Sequence, residues 1–218
     1  MKKTLSLILS IVFVLSAATV FAGAATTKTD ALLSKLSSAN EVSVKIRTGS
    51  TYAGASSATY IIKGNNAAYD YNTGFFNVRV VLTGGSAYAY LPVLPFFYVK
   101  VDNTGLANVD VWALVKSAVG ITKGVTHFET SYEEELDGTR YYVEQFNDGA
   151  TVKLKFYYLG DTLKILNVYD SQTKNVQNTY FDEISFSVSD SMVAVPGGLD
   201  LTPFLKNLLL AFIAGQAA

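Results

Sequence analysis

Three groups of side chains in this sequence have types that could do chemistry. Glu133-Glu134-Glu135 is the first. On an extended strand Glu133 and Glu135 share a face and Glu134 opposes them, because successive side chains alternate. Two carboxylates at a suitable separation can hydrolyse a glycosidic bond. A solvated acidic strand is the plainer reading of the same run. His127, the only histidine, is the second, and by itself it makes no site. No G-x-S-x-G, no Ser-His pairing context and no cysteine nucleophile accompanies it, so acyl-transfer chemistry lacks its parts. Clustered His and Cys for zinc are missing, no phosphate-cradling glycine loop precedes a helix, and the Asn147-Asp148 turn has no EF-hand spacing. These absences predict a non-enzyme with no catalytic residues, no metal and no cofactor.

The third group is the tyrosines, fourteen in all. Rows of exposed tyrosines can stack sugar rings, whereas tyrosine also suits strands for packing reasons alone. Tyr69, Tyr71, Tyr88, Tyr90, Tyr98, Tyr141, Tyr157 and Tyr169 fall on many segments. Their shared faces depend on strand register, which leaves both readings open.

The elements that must position these side chains are mostly strands. From His127 to Ser189, turn signals fall at Asp137-Gly138, Asn147-Asp148-Gly149, Leu159-Gly160-Asp161 and Ser171 to Lys174. β-Branched and aromatic residues fill the intervals, as hairpins require. Thr151 to Tyr158 alternates most clearly, with Val152, Leu154, Phe156 and Tyr158 opposite Lys153, Lys155 and Tyr157. Such alternation predicts a sheet with one buried and one wet face. Upstream, Val42, Val44 and Ile46 alternate with Ser43, Lys45 and Arg47, and Phe76, Val78, Val80 and Leu82 share a face. A short helix over Thr26 to Asn40, capped at Thr29 or Asp30, carries Leu32, Leu33 and Leu36 as its apolar stripe. A second helix is expected over Val111 to Val119, with Trp112 as a core anchor or, alternatively, a stacking partner for a ligand. The pattern is that of an α+β, mainly antiparallel β chain.

Both ends are distinctive. Lys2 and Lys3, the apolar run Leu5 to Leu15 and Ala22-Gly23-Ala24 read as a signal peptide of bacterial style over residues 1–24. An uncleaved anchor is the alternative, though the apolar run is short for one. Removing 24 of 218 residues leaves 194, expected to form a single antiparallel β-rich domain, residues 25–218. With no cysteine there is neither a disulfide nor a lipid anchor, and a secreted or periplasmic location is expected. Charge is +4 over residues 25–125 and −7 over 126–218, too weakly basic anywhere for nucleic acid. At the other end Thr202-Pro203 opens an apolar helix, 203–214, with Phe204, Leu205, Leu208, Leu209, Phe212 and Ile213 on one face. At about 18 Å it is too short to cross a bilayer, so it packs on the sheet, a partner or a membrane surface. Leu91 to Tyr98 holds two prolines in an apolar run, which bars it from a central strand. It is either a loop buried on the core, a lip over a cavity, or a membrane-touching tip.

Phe128-Glu129, Asp137-Gly138, Tyr142, Phe156-Tyr157-Tyr158, Ile184-Ser185 and Val195-Pro196-Gly197, in this element order, resemble the envelope lipid-carrier superfamily, the LolA-like carriers and related lipid-binding lipoproteins. The resemblance covers most of the chain after the signal peptide, as a pattern. It implies a strongly bent sheet or unclosed barrel, covered by two or three short helices, that holds acyl chains on its concave face. The chain departs from the lipoprotein members in lacking a lipobox cysteine, and no basic residue maps onto a carrier's functional position.

On this reading the chain is an exported binding protein for a lipid or other apolar ligand, lined by Phe76, Val78, Tyr88, Tyr90, Phe96, Trp112, Leu154 and Phe156. Membrane-surface contact would fall to Leu91–Phe97 or the C-terminal helix, and no nucleic-acid partner is expected. The alternative is a secreted interaction module that binds glycan or protein through exposed tyrosines.

Overall fold

The computed structural model describes residues 27–48, 56–72, 74, 76–102, 127–147 and 151–203. The signal peptide, the Trp112 helix and all but the first residue of the 203–214 helix lie outside them. Thr202 and Pro203 already have helical conformation.

Alternating sequences make alternating faces, and here they assemble one large open sheet. β1 (Glu41–Thr48) leads outward through β2 (Ser56–Lys63), β3 (Asn66–Asn72), β4 (Asn77–Thr83), β5 (Ser86–Tyr90) and β6 (Phe97–Asp102), each antiparallel to the last. On its other side β1 meets β11 (Asn175–Ser185), then β10 (Thr162–Asp170), β9 (Val152–Leu159), β8 (Thr139–Asn147) and β7 (His127–Leu136). A two-residue strand, β12 (Leu199–Asp200), joins the β6 edge in parallel. Among the described residues β7 and β12 form the two edges, and the sheet does not close. One helix, α1 (Lys28–Ser38), is present among the described residues, fewer than the two or three expected. Thr27 caps it rather than Thr29 or Asp30, in a capping box with Asp30, which satisfies orphan N–H groups at the helix start.

The register sorts the side chains into two faces. Val42, Val44 and Ile46 stand opposite Ile62, Tyr60 and Ala58 on β2 and share the inner face with Phe146, Leu154, Phe156, Tyr158, Leu163, Leu166 and Phe181. Leu36 of α1 closes this core, and Leu32 and Leu33 pack against it. Burying one stripe of a short helix is what holds it, since about three turns are marginal alone in water.

A smaller core lies on the outer face. Ile61, Ala68 and Val81 are covered there by Val188 and Val193, from the segment that leaves β11 and crosses to the β6 edge through the 3₁₀ turn Asp190–Val193. Lys63 pins this crossing. Its ammonium donates to the Val188 carbonyl at 2.7 Å and pairs with Asp190 at 2.6 Å.

Candidate functional site

The inner face changes character along the sheet. Between β8 and β1 it is filled by the chain itself, and Phe156 is 0% exposed. At its α1 end a buried carboxylate organises the packing. Glu144, 1% exposed, points inward from β8 between Tyr142 and Phe146. It accepts from the Lys28 and Thr29 backbone N–H groups, both at 2.8 Å. The Thr29 hydroxyl meets the Tyr158 hydroxyl at 3.0 Å. Burial, with the Thr29 hydrogen bond working against it and the Glu144 charge adding to it, holds the Tyr158 phenol well above its ordinary range. The sequence reading missed Glu144. A charge at inward parity within an apolar row was the available signal.

Beyond β1 the same face keeps Ala58, Ile62, Ala67 and Ala87 buried, but a lane through its middle is only half-buried. Tyr60, Tyr69 and Tyr71 come first. The Tyr60 and Tyr69 rings lie 5.0 Å apart and those of Tyr69 and Tyr71 6.2 Å apart, nearly parallel. Desolvation raises the phenols of Tyr60 and Tyr69 above their usual range. Val78, Val80 and Leu82 follow, opposite Tyr71, Tyr69 and Ala67, and then Ala89 and Val99. The strip reaches the sheet edge at Phe97 and Leu199, which are paired and exposed. From Ala58 to Val101 no inward-facing side chain of β2–β6 is charged.

The eight predicted lining residues do not form one surface. Val78 lies on the half-buried inner strip. Leu154 and Phe156 are on the inner face too, but inside the filled core. Tyr88 and Tyr90 stand on the opposite face: they pair with Val81 and Arg79 and pack on the outer core. Sequence alternation gives each strand's parity but not the match between strands, and this is where the set failed. Phe76 precedes β4 and is exposed, so the expected Phe76–Leu82 face is shorter by one residue. Phe96 sits in the Leu91–Phe97 turn, 60% exposed. Trp112 lies outside the described residues.

That turn is not buried on the core. Leu91, Val93, Leu94, Phe96 and Phe97 are all exposed, Val93 at 76%. Two internal hydrogen bonds shape its backbone: the Leu91 carbonyl accepts from the Leu94 N–H at 2.8 Å and the Leu94 carbonyl from the Phe97 N–H at 3.2 Å. Gly198 presses against it so closely that a Cβ there would lie 2.2 Å from the Phe96 oxygen.

The acidic run behaves as a solvated strand. Glu133 and Glu135 are exposed on one side of β7, and Glu134 on the other pairs with Lys155 at 3.2 Å. The tyrosines form no exposed row either, since every described tyrosine is buried or half-buried. Tyr157, expected on the wet face, is buried edge-on to Tyr141 at 6.0 Å.

Among the described residues these features define an open, mainly antiparallel sheet with one helix on its apolar face. No protein-family model matches the chain, and no curated protein does. Among solved structures it is similar in fold to an uncharacterised conserved protein from Thermus thermophilus, at 8% identity and a TM-score of 0.37, over 81% of this chain and 92% of that one. It is similar to MucB at 12% identity and a TM-score of 0.37, over 74% of this chain and 61% of MucB. A LolA superfamily protein from Nitrosomonas europaea aligns at 14% identity and a TM-score of 0.31, over 78% and 98%. Each is a likeness in fold only.

Proposed function

We propose that the chain is an exported, non-enzymatic binding protein that holds a lipid or another apolar ligand against the β2–β6 part of its inner face. The observation that carries this reading is the uncharged, half-buried strip from Tyr60 through Val80 to Val99, continuous with the core on one side and with the sheet edge on the other. Apolar area of this kind gains roughly 25 cal/mol for each Å² taken from water, and small-molecule sites are mostly apolar with few polar groups. The tyrosine hydroxyls at Tyr60 and Tyr69 are the polar groups at hand. The N-terminal signal pattern supports an extracytoplasmic location.

Leu91–Phe97 is the membrane-facing part of this account. Its side chains are exposed while its turn hydrogen bonds are internal, which suits an apolar surface that offers backbone groups no partner.

Organic-solvent extraction of the purified full chain, followed by mass spectrometry, tests the proposal. A released lipid is expected. An extract free of apolar compounds, combined with no uptake of a fluorescent fatty acid, contradicts it.

A further inference from the structure

The outer face at the other end of the sheet holds a second, chemically different feature. A cleft of about 480 Å³ lies over β8–β11 and β1, walled at one end by Leu136, Asp137 and Thr139 of the β7–β8 turn. That volume falls within the range of small-molecule sites, about 300–1,000 Å³. Two lanes cross its floor from strand to strand. One runs Arg47–Tyr180–Ile165–Tyr157, each residue directly opposite the next. The other is displaced by two residues along the strands, about 7 Å, and contains the cross-strand pair Asn178–Asn167.

We infer that this cleft is a saccharide site. A pyranose has a flat C–H face and an edge of hydroxyls that both donate and accept. The first lane supplies the apolar floor: the Tyr180 ring, flanked by Ile165, with Tyr157 and Tyr141 beyond. The second supplies paired hydrogen-bonding groups. Asn167 donates to the Asn178 side-chain oxygen at 2.7 Å, which leaves the Asn167 oxygen to accept and the Asn178 amide to donate. Arg47 closes the end of the floor, its guanidinium 5.6 Å from the Tyr180 ring. Its Nε donates to both Asp182 oxygens, at 2.7 and 3.0 Å, while its terminal amino groups have no partner among the described residues. Lys164, which also lines the cleft, has none among the described residues either. The Asn178 donor beside the Asn167 acceptor, over an aromatic floor, matches hydroxyls better than it matches a lone anion, because Asp182 already neutralises Arg47.

The cleft and the apolar strip lie on opposite faces, so this inference stands or falls independently of the inner-face ligand. The test is a titration of the full chain, by calorimetry and by side-chain NMR, with cellobiose, chitobiose and digalacturonate at up to about 10 mM. Saturable binding of at least one is expected, with shifts at the Asn178 amide and the Tyr180 ring. Asn178→Ala and Tyr180→Leu are expected to weaken it at least about tenfold, while Tyr98→Phe, on the other half of the outer face, leaves it unchanged. No saturable binding of any of the three, or binding indifferent to both cleft substitutions, overturns the inference. Tyr180→Phe, which removes only a hydroxyl, guards against loss of fold and is expected to retain the ring contribution.

Discussion

Glu144 and Thr29 lie 115 residues apart in sequence, yet the Glu144 carboxylate accepts the Thr29 backbone N–H at 2.8 Å and that of Lys28 with its other oxygen. A negative charge at the start of α1 meets both the orphan donors and the positive end of the helix dipole. The helix is thereby fixed to β8 at the same point where its leucines enter the core.

Removing that charge leaves one buried and one part-buried donor unpaired. Glu144→Ala is expected to destabilise the protein by about 2–4 kcal/mol, read as a fall in the urea midpoint at constant slope. Tyr158→Phe, which deprives only the Thr29 hydroxyl, should cost about 1 kcal/mol. A Glu144→Ala midpoint equal to that of the parent chain would show that α1 does not depend on this contact.

Tyr60, Tyr69 and Tyr158 all titrate above their ordinary value of 10.0 in the folded chain, chiefly through burial. An unfolded chain would release those protons first. Their contribution is complete below pH 10.0 and disappears as the pH rises beyond it. Alkaline unfolding is therefore expected to coincide with the appearance of tyrosinate absorbance from these rings. Their gradual ionisation in a chain that stays folded would be the contrary result.

The Lys63–Asp190 pair holds the crossing segment across the middle of the pH scale and lets go at both ends. A hydrogen bond from Lys63 lowers Asp190 below 3.8, and the same bond raises Lys63 above 10.5. The Asp190 contribution is present above pH 3.8 and is lost as the pH falls through its depressed value. The Lys63 contribution is present below pH 10.5 and is lost as the pH rises through its raised value. Protection of the Met192 amide against hydrogen exchange, taken relative to the intrinsic rate at each pH and carried by its bond to the Ser189 carbonyl at 3.1 Å, should fall at both extremes, and Lys63→Met should remove both falls.

Gly198 has φ +146 and no room for a side chain against the Phe96 backbone. Gly198→Ala is expected to destabilise by about 2 kcal/mol or more and to expose the Leu199 and Leu201 amides, which donate to Phe96 and Tyr98, to exchange. Unchanged protection of those two amides would show that the contact between Gly198 and Phe96 does not hold the β12 edge in place.

Strand alternation made most of this fold readable. Val42, Val44 and Ile46, or Leu154, Phe156 and Tyr158, declare their buried face by spacing alone, because period two is a local property. The relation between strands is not local. Tyr88 and Tyr90 share a face with each other but not with Val78, a fact set by the β4–β5 register. Bulges at Lys45/Ile46 and Leu163/Ile165 shift the pairing further, so the lanes of the outer cleft could not be aligned from spacing. Glu144 depended on a contact spanning more than half the chain. The apolar turn was legible as unusual, and its exposure decided between a loop on the core and an outward tip.

The inner strip is the centre of the functional account, and Val80 lies in its middle, opposite Tyr69 and Ala89. Titration of a fluorescent fatty acid into the parent chain and into Val80→Asp measures its role directly, with the urea midpoint of each recorded alongside. The account predicts saturable binding by the parent chain and at least about a tenfold loss in Val80→Asp, because a carboxylate there would have to be desolvated against the ligand. Equal binding by two folded proteins, or none by either, would contradict it.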